Sequence, residues 1–205
     1  LNNERRDIES KMHKEALKDI NLDNSALSFS VCLFNKNWHQ GVIGILASRI
    51  KEKCFRPTII FALDDNGLLK GSGRSIPGLH LRDTLDLITK KNSKLIKSFG
   101  GHAMAAGLTI EKANFDLFVK IFEHCCSELL TENDLNTIVS VDESILDDSI
   151  NFDIVKTIDM TVWGQGFTQP SYLDNFTVVE QSIIMDKHLK CRLDLNGYLY
   201  DGIFF

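Results

Sequence analysis

Three short segments of the chain combine glycine with a side chain that can bind an anion. The first, residues 98–107, reads SFGGHAMAAG and places Gly100 and Gly101 directly before His102. Glycine leaves backbone N–H groups uncovered, and consecutive uncovered N–H groups form a concavity that binds anions. The imidazole of His102 can donate to a phosphate or to a sugar hydroxyl. Taken alone, the segment fits a tight turn into a buried strand better than a phosphate site, and the basic residues upstream shift the balance towards phosphate.

The other two segments add an arginine, a serine and a second histidine. Residues 71–78 read GSGRSIPG and present Arg74 and Ser75 in a glycine-rich bend. A guanidinium group suits phosphate because its planar fork bonds two oxygens at once. Residues 37–44 read NWHQGVIG and place His39 just ahead of a predicted helix, where the helix dipole favours an anion and a capping or core histidine fits equally well. Together the segments predict a phosphate-binding site formed by Arg74, His39, Gly100, Gly101, His102 and Ser75.

The elements that would position these residues alternate between strand and helix. Apolar, β-rich runs predict strands at residues 27–34, 57–63, 68–75 and 107–110. Apolar residues at helical spacing predict helices at residues 41–54, 81–88 and 115–129. This order predicts an α/β layer fold with a mixed β-sheet and flanking helices. The three segments could then converge on one edge of the sheet, where ligands of α/β folds bind.

The flanking parts of the chain predict a different organisation. The first 24 residues carry a thin apolar row at helical spacing and predict a connector helix, which precedes the α/β domain at residues 25–131. After a polar break at residues 131–136, the pattern predicts these elements: a strand at 137–141, a helix at 150–158, and strands at 176–184, 188–195 and 199–205. Several short strands with turns predict a small barrel or sandwich over residues 132–205. The last strand is unfinished at Phe205, so we expect an internal piece of a longer protein.

Composition narrows the class of protein. The chain has 205 residues, of which 43% are hydrophobic and 25% charged, and it has no apolar run long enough to span a bilayer. Its five cysteines are odd in number and form no CxxC, which argues against a disulfide framework and a zinc site and favours reduced thiols in a cytosolic protein. Residues 70–102 carry seven Lys and Arg against two Asp, a net of +5, which hints at an anion-binding face or at a solvated surface.

Residue spacing does not predict a metal site in this chain. His39 and His102 are 63 residues apart and have no nearby pair of carboxylates. Residues 132–160 carry eight acidic residues against one lysine, a net of −7, and the acids at 142–148 fit a solvated loop better than a metal cluster. We therefore predict no metal ligands, and no catalytic residue other than an assisting role for His102.

The same segments resemble the RecJ family of single-strand-specific 5′→3′ DNA exonucleases in the DHH phosphoesterase superfamily. SFGGHAMAAGLTI is similar to the signature of the DHHA1 domain, the substrate-binding partner of the catalytic DHH domain, and WHQGVIGILASRI and GSGRSI are similar to its earlier blocks. LNNERRDIESKMHKEA is similar to the family's connector helix, and WGQGFTQP and HLKCRLDLNGYLYDGIFF to the start of its OB-type domain. The family often has GNPEP where this chain has GFTQP, which leaves that loop without a role.

The resemblance implies a function for the intact protein and a narrower one for this chain. It implies a cytosolic bacterial exonuclease that acts in DNA repair and recombination, with Mn²⁺ or Mg²⁺ held by a DHH domain absent from this chain. The chain itself would bind single-stranded DNA without cutting it, with Arg74 and the glycine amides on phosphate. Trp163 and Phe167 would stack on bases, or else be core aromatics, and the acidic region could face a repair-protein partner. The alternatives are a phosphodiesterase for short oligonucleotides or dinucleotides, and a non-enzymatic nucleotide- or protein-binding module.

Overall fold

The computed structural model describes residues 2–20, 28–136, 141–142, 144, 152–164 and 167–205. The chain divides into two compact units, Leu1–Thr137 and Ile138–Phe205, which are described separately. No helix among the described residues is long and apolar enough to cross a membrane. The predicted boundaries at residues 24 and 131 stay predictions.

The first unit is built on a five-stranded mixed sheet in the order β1-β2-β3-β5-β4. Its strands are β1 (Val31–Phe34), β2 (Thr58–Leu63), β3 (Leu68–Arg74), β4 (Ser98–Gly101) and β5 (Ala105–Glu111). Strands β1 and β2 are parallel, and every other neighbouring pair in this sheet is antiparallel. The helices are α1 (Asn2–Asp19), α2 (Ile43–Cys54), α3 (Leu81–Lys91) and α4 (Phe115–Leu129). The predicted fold, a mixed sheet with flanking helices, is confirmed.

One face of this sheet is fully covered, and we call it the covered face. Side chains alternate along each strand, so Ile59, Phe61 and Leu69 point to the same side and are completely buried under α3 and α4. The Phe61 ring packs edge-on against Phe118 at 5.5 Å, and Phe118 stacks on Phe122 at 5.8 Å. Burial of apolar side chains of this size is the main stabilising contribution to the unit.

The opposite face is covered over only part of its width, and we call it the open face. Helix α2 lies on β2 and buries Leu46, Ala47 and Ile50 against Ile60 and Ala62. Helix α1 packs on α2 in turn, and its Met12 and Ala16 are buried in the same cluster. Helix α2 also contacts β3, where Gly44 lies beside Ser72 and Arg74, and the part formed by β5 and β4 extends beyond α2.

Polar groups accompany the apolar contact between α1 and α2. Glu9, which is 6% exposed, lies 2.6 Å from Nε of Arg49. The indole Nε1 of Trp38, in the loop before α2, donates to Oε2 of Glu15 at 3.1 Å. Helix α1 is therefore held to the first unit by specific charged contacts as well as by apolar burial.

The second unit contains α5 (Phe152–Met160) and an antiparallel sheet of β6 (Thr177–Ile184), β7 (His188–Leu195) and β8 (Tyr198–Phe204) in that order. All four elements follow the sequence prediction to within two residues. The strand predicted at 137–141 falls mainly outside the described residues, and Val141 itself is not in a strand. The assignment of this unit to an OB-type domain stays a prediction.

Candidate functional site

The glycines of SFGGHAMAAG lie in a strand, where the sequence alone favoured a turn. Strand β4 forms the edge of the sheet, and the backbone N–H of His102 donates to the carbonyl of Ala105 at 2.8 Å to close the hairpin with β5. Since bonding alternates along an antiparallel pair, the amide of Gly100 points to β5 and that of Gly101 to the free edge. The two amides diverge, so the concavity of consecutive N–H groups expected from the sequence is not formed by this pair.

Small residues of β5 and β4 form a bare floor on the open face, bordered by Ser72 of β3, which lies against Gly44 of α2. Ser72 in β3 is opposite Gly107 in β5, which is opposite Gly100 in β4. A Cβ atom at Gly100 would meet nothing within 4 Å among the described residues, and one at Gly107 would meet only the carbonyl oxygen of Gly71 at 3.8 Å. Neither glycine has a positive φ. Neither packing nor backbone conformation within the described residues therefore requires glycine at these two positions.

The floor lies between two cations of β3. Arg74 is opposite Ala105, whose hairpin partner is His102, so Arg74 and His102 belong to the same end of the floor. Lys70 is opposite Thr109 at the other end. A shallow depression of about 390 Å³ follows the floor at this second end, and its lining includes Lys70, Ser98, Gly100, Gly107 and Thr109.

The guanidinium of Arg74 is held in place against the first two turns of α2. Its Nε donates to Oγ of Ser48 at 3.1 Å and its Nη1 to the carbonyl of Gly73 at 2.8 Å. A Cβ atom at Gly44 would lie 3.3 Å from Nη2, which has no hydrogen-bond partner among the described residues. The group is thus oriented by the protein and keeps donors for a ligand.

His39 lies at the N-terminal end of the same helix, in a loop where three consecutive residues, 38–40, each make a side-chain hydrogen bond. Its Nδ1 accepts from the backbone N–H of Gly41 at 3.0 Å, which places the proton of the neutral imidazole on Nε2. Trp38 is buried with its indole bonded to Glu15, and Nε2 of Gln40 donates to the carbonyl of Leu63 at 3.2 Å. His39 itself is exposed and presents a donor to solvent. The structure therefore brings Arg74 and His39 to one end of α2.

Ser75 does not join this group. It is 1% exposed, its N–H donates to the carbonyl of Met104 at 2.9 Å, and its hydroxyl donates to the carbonyl of Leu79 at 2.8 Å. Both polar groups are therefore used to brace the bend after β3 against the β4–β5 loop. The structure gives Ser75 no surface for a phosphate.

The lysines upstream of β4 are mostly paired with carboxylates. Three of them form ion pairs, which are Lys90 with Asp86 at 2.6 Å, Lys91 with Glu128 at 3.4 Å, and Lys97 with Glu111 at 2.5 Å. Their contribution to an anion-binding face is therefore smaller than the net charge of the segment suggested.

Sequence reasoning did not assign Ser72, Gly107 or Lys70 to the phosphate-binding site. The signal was present in LLKGSGR, because a strand with period-two alternation puts Lys70, Ser72 and Arg74 on one face and the glycines on the other. The structure agrees with this assignment, because there is no room for a side chain at these glycines on the covered face. A Cβ atom at Gly71 would lie 2.6 Å from Phe61 and Leu108.

In the second unit, the two predicted stacking residues contact each other. The rings of Trp163 and Phe167 are 5.0 Å apart, and the indole Nε1 of Trp163 donates to the carbonyl of Ile158 at 2.8 Å. Phe167 is 64% exposed. Their role in stacking on bases stays a prediction.

The described part of the chain contains no cluster of metal ligands, and two of its thiols are unreactive at neutral pH. No group of three or more His, Cys, Asp or Glu among those residues is placed to hold a metal ion. Burial raises the pKa of the thiols of Cys32 and Cys126 well above the ordinary range for cysteine, so both stay protonated at neutral pH.

Comparison with known proteins gives consistent matches. A sequence model described as the DHHA1 domain matches residues 24–128. The chain is 39% identical, over its whole length and 37% of the relative, to the single-stranded-DNA-specific exonuclease RecJ of Haemophilus influenzae. It is 38% identical to the protein of the same name from Escherichia coli, again over the whole chain and 37% of the relative. The chain thus spans little more than a third of these relatives and corresponds to their C-terminal part.

A solved structure supports the same comparison at the level of the fold. The crystal structure of RecJ from Thermus thermophilus in complex with Mg²⁺ is similar to 98% of this chain, which covers 35% of that chain, with a TM-score of 0.75 and 21% identity. At this identity the match shows a shared fold.

Proposed function

The chain belongs to the DHHA1 domain family, and from that premise we propose that it is the substrate-binding part of a RecJ-like exonuclease that degrades single-stranded DNA. In this proposal the strand lies on the open face, across the bare floor of Gly100 and Gly107. The proposal is supported by full-length similarity to the C-terminal part of exonucleases named for single-stranded DNA.

One observation carries the proposal. Gly100 and Gly107 lack a side chain although nothing among the described residues would contact one closely, and both glycines have ordinary backbone conformations. A missing side chain without an internal cause fits an external group that must approach the backbone closely. The cations beside the floor, Arg74 and Lys70, favour a negative charge on that group.

Each residue of the site has a role in this function. Arg74 donates from Nη2 to a phosphate oxygen, and His39 and His102 donate to neighbouring phosphate or sugar oxygens. The amide of Gly101, on the free edge of β4, is a further donor. Holding the phosphate in one geometry, with donors aimed at its oxygens, lowers the barrier to cleavage because orientation and charge stabilisation are already in place.

The groups that cut the strand lie elsewhere in this proposal. Solved relatives carry Mg²⁺ or Mn²⁺, and we place these ions in a DHH domain outside this chain, where they would activate the attacking water. We expect 5′→3′ polarity, a role in repair and recombination, and a place in the bacterial cytosol. The chain alone should bind DNA without hydrolysing it, and the OB-type unit would guide the strand and contact a repair protein.

Fluorescence anisotropy with a 5′-phosphorylated oligonucleotide tests the proposal. We expect the 205-residue chain to bind single strands weakly, better than duplex, and less tightly as salt rises. Arg74→Ala should lower the affinity by about tenfold, since it removes charge-assisted hydrogen bonds.

Arg82→Ala is the matched control for this experiment. Arg82 lies on α3, over the covered face, and its side chain is 56% exposed, so its removal should leave binding unchanged. Absence of binding at low salt, equal affinity for duplex, or equal effects of the two arginine variants would each contradict the proposal.

A further inference from the structure

We propose that Lys70 forms a second phosphate subsite, so that the open face holds a run of nucleotides and not one phosphate. This inference rests on the proposed function and extends it to the length of strand that the site prefers. Lys70 and Arg74 are on the same strand and the same face, at the two ends of the bare floor.

The position of Lys70 follows from the sheet register. Thr109 is its partner in β5 and Ser98 is the next residue across in β4, so Lys70 occupies one row with two hydroxyl side chains. Its Nζ donates to Oγ1 of Thr109 at 3.1 Å, which turns the lysine across β5 towards the depression. The depression reaches from Lys70 over Gly107 to Gly100, so it is continuous with the floor beside Arg74.

The ammonium group retains capacity for an anion. The side chain of Lys70 is 43% exposed, and only one of its three donors is used by Thr109. Oδ2 of Asp64 lies 3.9 Å away, beyond hydrogen-bond distance, while its Oδ1 accepts from the amides of Asn66 and Leu68 in the preceding turn. Asp64 therefore offsets part of the positive charge of Lys70 without accepting a hydrogen bond from its ammonium group.

The separation of the two cations sets a minimum length for the ligand. Four residues of extended strand place the Cα atoms of Lys70 and Arg74 about 13 Å apart. A stacked polynucleotide advances about 3.4 Å per nucleotide, so phosphates at both cations belong to nucleotides up to about four positions apart, fewer if the strand is stretched. A dinucleotide is too short to reach both cations.

Competition binding tests the inference. The 205-residue chain, saturated with fluorescein-labelled dT8, is titrated with 5′-phosphorylated dT2, dT4 and dT8. We expect Lys70→Ala to weaken dT8 severalfold, to lower the slope of log affinity against log salt by about 0.7, and to leave dT2 unchanged. Arg74→Ala should weaken the binding of all three oligonucleotides. Lys70→Arg, which keeps the positive charge, should bind dT8 as the wild-type chain does. Asp64→Asn should strengthen dT8.

Lys120→Ala is the matched control, because Lys120 is an exposed lysine of α4, over the covered face. If Arg74→Ala weakens dT8 while Lys70→Ala behaves like Lys120→Ala, the inference is overturned and the proposed function stands. If Lys70→Ala weakens dT2 as much as dT8, Lys70 belongs to the same subsite as Arg74 and the inference is again wrong. A wild-type chain that binds no oligonucleotide overturns both proposals. Thermal melts of each variant exclude unfolding as the cause.

Discussion

Adjacent glycines of β4 belong to opposite faces of the sheet and are glycine for different reasons. A Cβ atom at Gly101 would lie 2.4 Å from the carbonyl oxygen of Ala105, and the φ of Gly101 is +146°. Gly100, one residue earlier, has neither restriction. The covered face therefore needs glycine to fold, whereas the open face needs it only if something binds there.

The two faces also differ in the polar contacts that hold their helices. The cluster on the covered face consists of apolar side chains from the sheet, α3, α4 and the segments beside them. Helix α4 adds one charged contact, because the carboxylate of Glu123 accepts from the backbone N–H of Phe29 at 2.6 Å and from the hydroxyl of Ser30 at 2.5 Å. On the open face, α2 is held partly by α1, whose contacts include the Glu9–Arg49 ion pair and the Trp38–Glu15 hydrogen bond. Polar substitutions in α1 and α2 should therefore loosen the open face and leave the contacts of α4 unchanged.

The largest expected effect separates the two glycines of β4. Gly101→Ala should lower the free energy of unfolding by about 2–4 kcal/mol, because the added Cβ meets backbone atoms and the φ is unfavourable for alanine. Gly100→Ala should change it by less than about 0.5 kcal/mol and should weaken single-strand binding. Urea unfolding followed by circular dichroism, with anisotropy on the same samples, measures both. Equal stability losses would contradict the contrast between the faces.

An intermediate effect is expected at the contact between α1 and the loop before α2. Trp38→Phe removes the indole donor to Glu15 and part of a buried ring, and should cost about 1–2 kcal/mol. Glu15→Gln, which keeps an acceptor oxygen, should cost less. Hydrogen exchange should become faster in α1 and stay unchanged in α4. Faster exchange in α4 would show that the two faces do not unfold separately.

The smallest effect is a pH dependence on the open face. Burial, together with the positive charge of Arg49, lowers the pKa of His13 below its ordinary value. The unfolded chain therefore binds a proton more readily, and stability should fall slightly as pH drops below about 6.5. His13→Gln should reduce this loss between about pH 7.5 and about pH 5.5, as measured by urea midpoints. An unchanged pH dependence would exclude His13 as its source.

Local sequence patterns were sufficient for most elements and failed where pairing decides the structure. PTIIFAL is continuously apolar because β2 lies between two covered regions, so its prediction as a buried strand needed no further information. SFGG has two glycines and one aromatic residue, and it is a strand because it pairs with β5. Pairing between distant segments is not encoded in the local pattern.

Some residues of the candidate site could likewise be selected from the local sequence, and others only from strand pairing. Arg74, His39 and His102 were selected by side-chain chemistry and by neighbouring glycines, and the structure brings Arg74 near the start of α2 and into one row with His102. Gly107 and Lys70 are assigned to the site by the register across three strands, because that pairing places them on the open face with Arg74. Ser75 had suitable chemistry, but the bend after β3 uses its hydroxyl internally.

The open space above Gly100 and Gly107 has a consequence for genetics. Substitution of either glycine by a small residue should give a protein that accumulates to normal levels and resists proteolysis like the parent. Surveys of variants that score cellular abundance would then record both positions as tolerant. Under the proposed function, only an assay of single-stranded DNA binding or degradation would expose such alleles, and they would behave as defects of substrate binding in a normally folded protein.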